Sequence, residues 1–235
     1  MSELVSIAEH DSHLLLAMDD GKANALGFAM FDALNQGLDA ADAAGKVVVI
    51  AGRPGKFSAG FDLNVMGGGS EDMLRLLRTG ADLSHRLMDF ATPVVLAVTG
   101  HALAMGALMC LSADYRIGTR GSFKLGLNEA AIGMTLPWFG IELARARLAP
   151  AHFSQAVGLA WIYDAEGAVT AGFLDQAVEE EALLPTAEAV AQALSGLNMQ
   201  AHRNSKRRIR EEFFSRYQQA LEKDFDQGAV MASAG

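Results

Sequence analysis

Two apolar runs, Lys46-Val-Val-Val-Ile-Ala51 and Val94 to Val98, constrain this chain more than anything else in it. Each has the length of a strand, is rich in β-branched residues, and lacks alternation of polar with apolar positions. That pattern belongs to strands buried on both faces of a parallel sheet. Each run leads into a glycine-bearing loop and then a helical pattern. Parallel neighbours must be joined by a crossover, so the chain is committed to an α/β domain with right-handed connections.

The remaining segments fit that frame. Residues 3–8 and 12–19 read as short strands around a turn at Glu9-His10-Asp11. A helix is predicted from Ala25 to Ala44, with Phe31, Leu34 and Leu38 at helical spacing, and another from about Glu71 to Phe90. Thr92-Pro93 ends the second, because proline disfavours helical geometry in the residue before it. Residues 103–111 read as a helix and Asp114 to Gly118 as a strand. Beyond residue 136 the pattern is almost wholly helical. It closes on a stripe of Ile209, Phe213, Tyr217, Leu221 and Phe225, which must cover either its own core or a neighbouring subunit. The tail from Gln227 to Gly235 is small and polar enough to fray. The division expected is a core over 1–190 and a C-terminal helical region over 191–235.

Composition narrows the partners. A net charge of −9 over 235 residues argues against non-specific nucleic-acid binding, which depends on neutralising phosphates with Lys and Arg. The single cysteine, Cys110, can form no internal disulfide and sits in an apolar run, which points to a reducing, cytoplasmic setting and a buried side chain. The N-terminus lacks the basic and apolar regions of a signal peptide. The run from Val94 to Leu111 is interrupted by Thr99, Gly100 and His101, so it reads as a strand and a helix, and no membrane span is expected. No His, Cys, Asp or Glu group has metal-ligand spacing, and no metal is expected.

Chemistry concentrates in two loops. Gly52-Arg-Pro-Gly-Lys-Phe-Ser-Ala-Gly-Phe-Asp-Leu63 follows the first buried strand, and Thr99-Gly-His-Ala-Leu-Ala-Met-Gly106 follows the second. Both lie where open α/β sheets bind ligands, outside the carboxyl ends of the strands. Small residues let backbone N–H groups approach a ligand, and a helix N-terminus adds unpaired donors. Two such loops can aim one N–H each at a carbonyl oxygen.

Lys56-Phe-Ser-Ala-Gly-Phe-Asp-Leu63 and Gly100-His-Ala-Leu-Ala-Met-Gly106 resemble the two signatures of the crotonase (enoyl-CoA hydratase/isomerase) superfamily. Gly21-Lys-Ala-Asn-Ala-Leu26 and Ala171-Gly-Phe-Leu-Asp-Gln-Ala-Val178 are similar to two further segments of it, in the same order. The resemblance implies a ββα spiral core followed by C-terminal helices, assembled as a homotrimer or hexamer. It implies an acyl-CoA thioester as substrate, with no separate cofactor. Its oxyanion donors would be the backbone N–H groups of Phe61 and Met105. Lys22, Ala23, Ala59, Asp62 and Leu63 would lie along the CoA. The family usually has glycine where Met105 stands, and a larger side chain there is expected to narrow the pocket.

The hydratases of the family use two glutamates. Here Leu108 occupies one of those places, while Glu129 keeps the other in Leu125-Gly-Leu-Asn-Glu-Ala-Ala-Ile-Gly133, a string similar to that of Δ3,Δ2-enoyl-CoA isomerases. The resemblance therefore implies one-glutamate isomerisation, with Leu108, Leu136 and Trp138 as an apolar wall that raises the Glu129 pKa. Weak hydration, thioester hydrolysis and silent acyl-CoA binding stand as alternatives. Trp138 and Phe139 read equally well as core aromatics. His101 reads as structural and not as the partner of a Ser58 nucleophile. Asp114 reads as a structural hydrogen-bonding group, Asp62 also as a helix cap, and Gly67-Gly-Gly-Ser70 as a hinge. The basic group Arg203, Lys206, Arg207, Arg208 and Arg210 reads as a solvated helix face, with contact to CoA phosphates as the alternative.

Overall fold

A computed structural model describes residues 3–226. The fraying read for residues 227–235 lies outside the described residues. The chain opens with β1 (Val5–Glu9), β2 (His13–Met18) and β3 (Ala25–Leu26), followed by α1 (Phe28–Ala44) and β4 (Val47–Ala51). Next come β5 (Gly55–Ser58), β6 (Gly60–Phe61), α2 (Leu63–Met66), α3 (Ser70–Asp89), β7 (Val94–Val98), β8 (Gly100–Leu103), α4 (Met105–Ser112), β9 (Tyr115–Thr119) and β10 (Leu125–Gly126). A short 3₁₀ turn (Ala130–Ile132) leads to α5 (Trp138–Arg147), α6 (Pro150–Gly158), α7 (Ala165–Ala171), β11 (Gln176–Val178), α8 (Glu180–Ser195), α9 (Met199–Ile209) and α10 (Glu211–Phe225).

The sheet order carries the architecture. A six-stranded sheet runs β1-β2-β4-β7-β9-β11, and a three-stranded sheet runs β10-β8-β5. Each of β4, β7 and β9 in the large sheet is followed by its own short strand, β5, β8 or β10, in the small one. Both series are parallel and in the same spatial order. A helix follows the first two of these pairs, α3 after β5 and α4 after β8. The chain therefore winds as a spiral of ββα turns. Alternate residues of β4 and β7 feed two cores. Val48, Ile50, Val94, Leu96 and Val98 join the main cluster. Val47, Val49, Ala51, Val95 and Ala97 pack under Leu183, Ala187 and Ala191 of α8.

Several expected boundaries move. The predicted helix from Ala25 begins three residues later, because Ala25 and Leu26 pair with Gly60 and Phe61 as a two-stranded sheet. The helix expected over 103–111 begins at Met105, because Leu103 still belongs to the strand Gly100–Leu103. The stripe ending the chain is broken at Arg210, which leaves Ile209 on the preceding helix and 82% exposed. Phe213, Tyr217 and Leu221 do form a buried face on the chain's own core, and the Tyr217 hydroxyl donates to the Ala81 carbonyl (2.8 Å). A division at residue 190 falls inside α8 and separates no independent core. No helix among the described residues is long and apolar enough to cross a membrane.

The basic group is not a uniformly solvated face. Lys206 is buried and donates to Asp114 Oδ2 (2.6 Å), Arg210 donates to Asp114 Oδ1 (2.8 Å), and Arg207 binds both oxygens of Asp89. Asp114 also accepts from the Val94 N–H (2.8 Å), at the amino end of β7. Burial alone would raise the Asp114 pKa, but Lys206 and Arg210 outweigh it and hold the carboxyl below its usual range. Within the chain this node sits at the opposite end of the strands from the two loops, which takes Lys206 and Arg210 away from a ligand held there by the same chain.

Truncating one member of such a buried set leaves the others uncompensated. Asp114→Ala is expected to cost about 3–5 kcal/mol of stability, read by urea unfolding. A loss under about 1 kcal/mol would mean that Lys206 and Arg210 find other partners or water.

Candidate active site

The first loop is held from below by Asn24, a buried residue at positive φ (51°). Its side-chain nitrogen faces the carbonyls of Met18, Lys56 and Phe57 at 3.0–3.1 Å. Ser58 donates to the Asn24 carbonyl (2.8 Å) and accepts from the Gly60 N–H (3.1 Å). These contacts leave Ser58 fully buried as a loop brace, and no nucleophile pair forms. His101 accepts from the Lys124 N–H at Nδ1 (3.0 Å) and meets Phe123 edge-on, a structural histidine as read. Burial pushes the Cys110 thiol up to about 12, which removes it as a nucleophile at neutral pH.

The Asp62 N–H donates to the Leu26 carbonyl (3.1 Å) across the β3–β6 pair. Successive N–H groups of an extended chain point to opposite sides, so the Phe61 N–H points away from β3. Met105 is the first residue of α4, where no carbonyl of the helix can reach its N–H. The chain enters α4 through Ala104 at φ 49°, ψ −120°, a conformation that costs an alanine about 1–3 kcal/mol. Gly60 makes the meeting of the two loops possible. A Cβ there would lie 2.8 Å from the Ala104 Cβ and 3.2 Å from the Met105 nitrogen.

Met105 does not narrow the cavity as its size suggested. Its side chain is fully buried, with its sulfur over Gly80 of α3, where a Cβ would come within 3.1 Å of it and 2.7 Å of the Phe61 ring. The glycine on α3 makes the room that the loop residue takes.

Ala59, Phe61, Asp62, Leu63, Leu108 and Glu129 of the sequence-predicted residues line one cavity of about 350 Å³. Lys22, Ala23, Met105, Leu136 and Trp138 do not. Lys22 is exposed and its carbonyl accepts from Arg53, while the Ala23 carbonyl accepts from the Ala59 N–H (2.9 Å). Their strand neighbour Ala25 reaches the cavity instead. Leu136 is buried beside Leu108 near Gly140, behind the wall. Trp138 is 47% exposed under the Lys223 ammonium (4.6 Å) and, with Leu136, lines an adjoining cavity of about 740 Å³. The two cavities share Leu77 and Pro137. Phe139, by contrast, is a fully buried core aromatic.

Two carboxyl groups reach the cavity lining. Asp62 is committed as the cap of α2, accepting from the N–H and side chain of Asn64 (2.9 and 3.0 Å). Glu129 is only 7% exposed and its Oε2 has no hydrogen-bond partner. Burial pushes its carboxyl from 4.5 up to about 7, against a smaller opposing effect of its own backbone N–H. Such a group is a base matched to neutral pH. Sequence reading passed over Asn128, which lines the same cavity with its side-chain oxygen buried and unpartnered. Its place beside Glu129 was the available signal.

A family model described as enoyl-CoA hydratase/isomerase matches residues 10–233. Human mitochondrial enoyl-CoA delta isomerase 1 is 32% identical over 149 residues, 62% of this chain and 49% of that protein, so the chain spans about half the length of that relative. Carnitinyl-CoA dehydratase of Citrobacter koseri is 29% identical over 83% of this chain and 75% of that protein. The solved apo structure of a Mycobacterium tuberculosis enoyl-CoA isomerase, described in a second structure as a probable enoyl-CoA hydratase, superposes with a TM-score of 0.92 at 38% identity. That match covers 97% of this chain and all of that one. The chain belongs to the enoyl-CoA hydratase/isomerase family, with the crotonase fold.

The raised Glu129 pKa has a stability consequence. Between about 4.5 and 7 the folded state holds a proton that the unfolded chain releases, so stability falls as pH rises through that window. Glu129→Gln removes the cost of the buried charge. It is expected to stabilise the protein at pH 8 by up to about 3 kcal/mol and to change little at pH 4, as read by denaturant unfolding at both values.

Proposed function

We propose that this member of the enoyl-CoA hydratase/isomerase family moves the double bond of a 3-enoyl-CoA to the 2-position, with Glu129 as the sole proton carrier. The observation that carries the reading is the pairing of Glu129, buried and unpartnered in the cavity, with Leu108, 1% exposed where a second carboxylate would be needed for hydration. The ionised carboxylate removes a proton from C2. The electron pair delocalises over C2, C3 and C4 and the thioester oxygen, giving a dienolate. The protonated carboxyl then returns its proton to C4, leaving the double bond between C2 and C3.

The Phe61 and Met105 N–H groups are the proposed donors to the thioester oxygen. One such donor is worth ~10²–10³-fold, and a positioned base ~10²–10⁴-fold. The apolar lining serves the same chemistry twice. It raises the basicity of Glu129, and it excludes water that would trap the intermediate. A hydratase reading has one observation in its favour, the unpartnered Asn128 oxygen, which could hold a water beside Glu129.

Turnover of 3-hexenoyl-CoA and crotonyl-CoA by the wild type and Glu129→Gln separates these readings. Isomerisation of the first without hydration of the second is expected, reduced by about 10³-fold or more in the variant. The wild-type kcat/KM should fall tenfold per pH unit below about 7, because only the ionised carboxylate is a base. Hydration of crotonyl-CoA that is lost in Asn128→Ala would move the assignment to a hydratase. Tight CoA binding without turnover would leave a silent binder. Leu108→Glu supplies the missing second carboxylate and is expected to add measurable crotonyl-CoA hydration. No gain in a folded, CoA-binding variant counts against the placement of Leu108.

A further inference from the structure

The end of the β1–β2 hairpin meets α8 far from the acyl-CoA cavity. His10 lies in the turn, His13 opens β2, and Glu188 projects from α8. One ligating atom from each of these three side chains lies within 4.8 Å of the other two. The two imidazoles are stacked, with centroids 4.5 Å apart and planes 6° from parallel. His13 is 4% exposed. Its Nδ1 pairs with the Ser12 hydroxyl (3.0 Å), while Nε2 is buried with no partner at all. Burial first, and then neighbouring His10, holds its pKa below the ordinary histidine value.

We propose that His10, His13 and Glu188 form a site for a zinc-class divalent cation that clamps the hairpin onto α8. Two imidazoles and a carboxylate are a donor set that zinc takes, with bonds of about 2.0–2.2 Å. Those bonds place ligand atoms roughly 3.3–3.5 Å apart, so the set must contract by up to about 1.5 Å. His10 is exposed and Glu188 half-buried, and both have the freedom to move. The Ser12 contact does for His13 what an outer hydrogen bond does for a ligating histidine. It holds the ring, and the tautomer that donates from Nδ1 to the hydroxyl leaves the Nε2 lone pair for a cation. The site opens on a shallow groove that also carries Asp11, and the fourth position stays with water. The nearby Lys46 ammonium opposes a cation, but it is held by Glu9 (2.7 Å) and the His10 carbonyl (2.8 Å). The ion would tie the hairpin at the edge of the large sheet to the helix that covers its second face.

Untagged protein stripped with chelator and titrated with Zn²⁺ in a calorimeter tests this directly. One equivalent per chain is expected, with binding weakened at least tenfold in His10→Gln and in Glu188→Gln. At a hundredfold excess over Kd the thermal midpoint should rise by roughly 5–10 °C in the wild type and not in the variants. Both substitutions are at accessible positions, so the His13 fold contact is left intact. Absence of stoichiometric binding to the wild type, or binding undiminished in both variants, overturns the site.

Discussion

The burial of β4 and β7 on both faces is the constraint on which the rest depends. Every residue of Val47–Ala51 and Val94–Val98 is withdrawn from solvent, odd and even positions serving different cores. A strand covered on both sides can release its chain toward function only at its ends. In a parallel arrangement the two carboxyl ends lie side by side, so the loops that follow them come together without further instruction. Backbone pairing of β5 with β8 then holds the loops in register.

What happens where the loops meet is a matter of missing Cβ atoms. Gly60 lets one backbone lie against the nitrogen of Met105, and Gly80 accepts the Met105 and Phe61 side chains from below. Ala104 adopts a disfavoured conformation so that the chain can turn from strand into helix with a free N–H at its start. The same economy governs Glu129. The burial that raises its pKa to about 7, and so gives a base at neutral pH, also makes its ionised form a cost to folding. Reactivity and instability there have one physical origin.

At the other end of the strands the logic is reversed. Asp114 gathers Lys206, Arg210 and the Val94 N–H, while Arg116 holds Asp175 with three donors and so ties β9 to the turn before β11. Here buried charge is matched by opposite charge and serves to anchor the C-terminal helices. The sheet thus carries its compensated charges at one end and its uncompensated carboxyl near the other.

The sequence by itself determined the spiral core, the two loops, and a lone Glu129 with Leu108 standing where a second carboxylate would be expected, because these are local patterns: strand-length apolar runs, glycine turns, and short ordered motifs. It also contained the apolar face of Phe213, Tyr217 and Leu221, since helical spacing is legible without a partner. Tertiary structure alone decided which residues reach the cavity. Lys22 and Ala23 are motif neighbours whose carbonyls turn to Arg53 and Ala59, and Trp138 stands beyond Leu77 and Pro137 in a second cavity. The bulk of Met105 is accommodated by Gly80, which lies on another helix. Lys206 and Arg210 read as surface because they belong to a densely charged run of the sequence, and Asp114 meets them only when the chain closes. In each case the deciding contact joins residues far apart along the chain, and local pattern holds no record of such contacts.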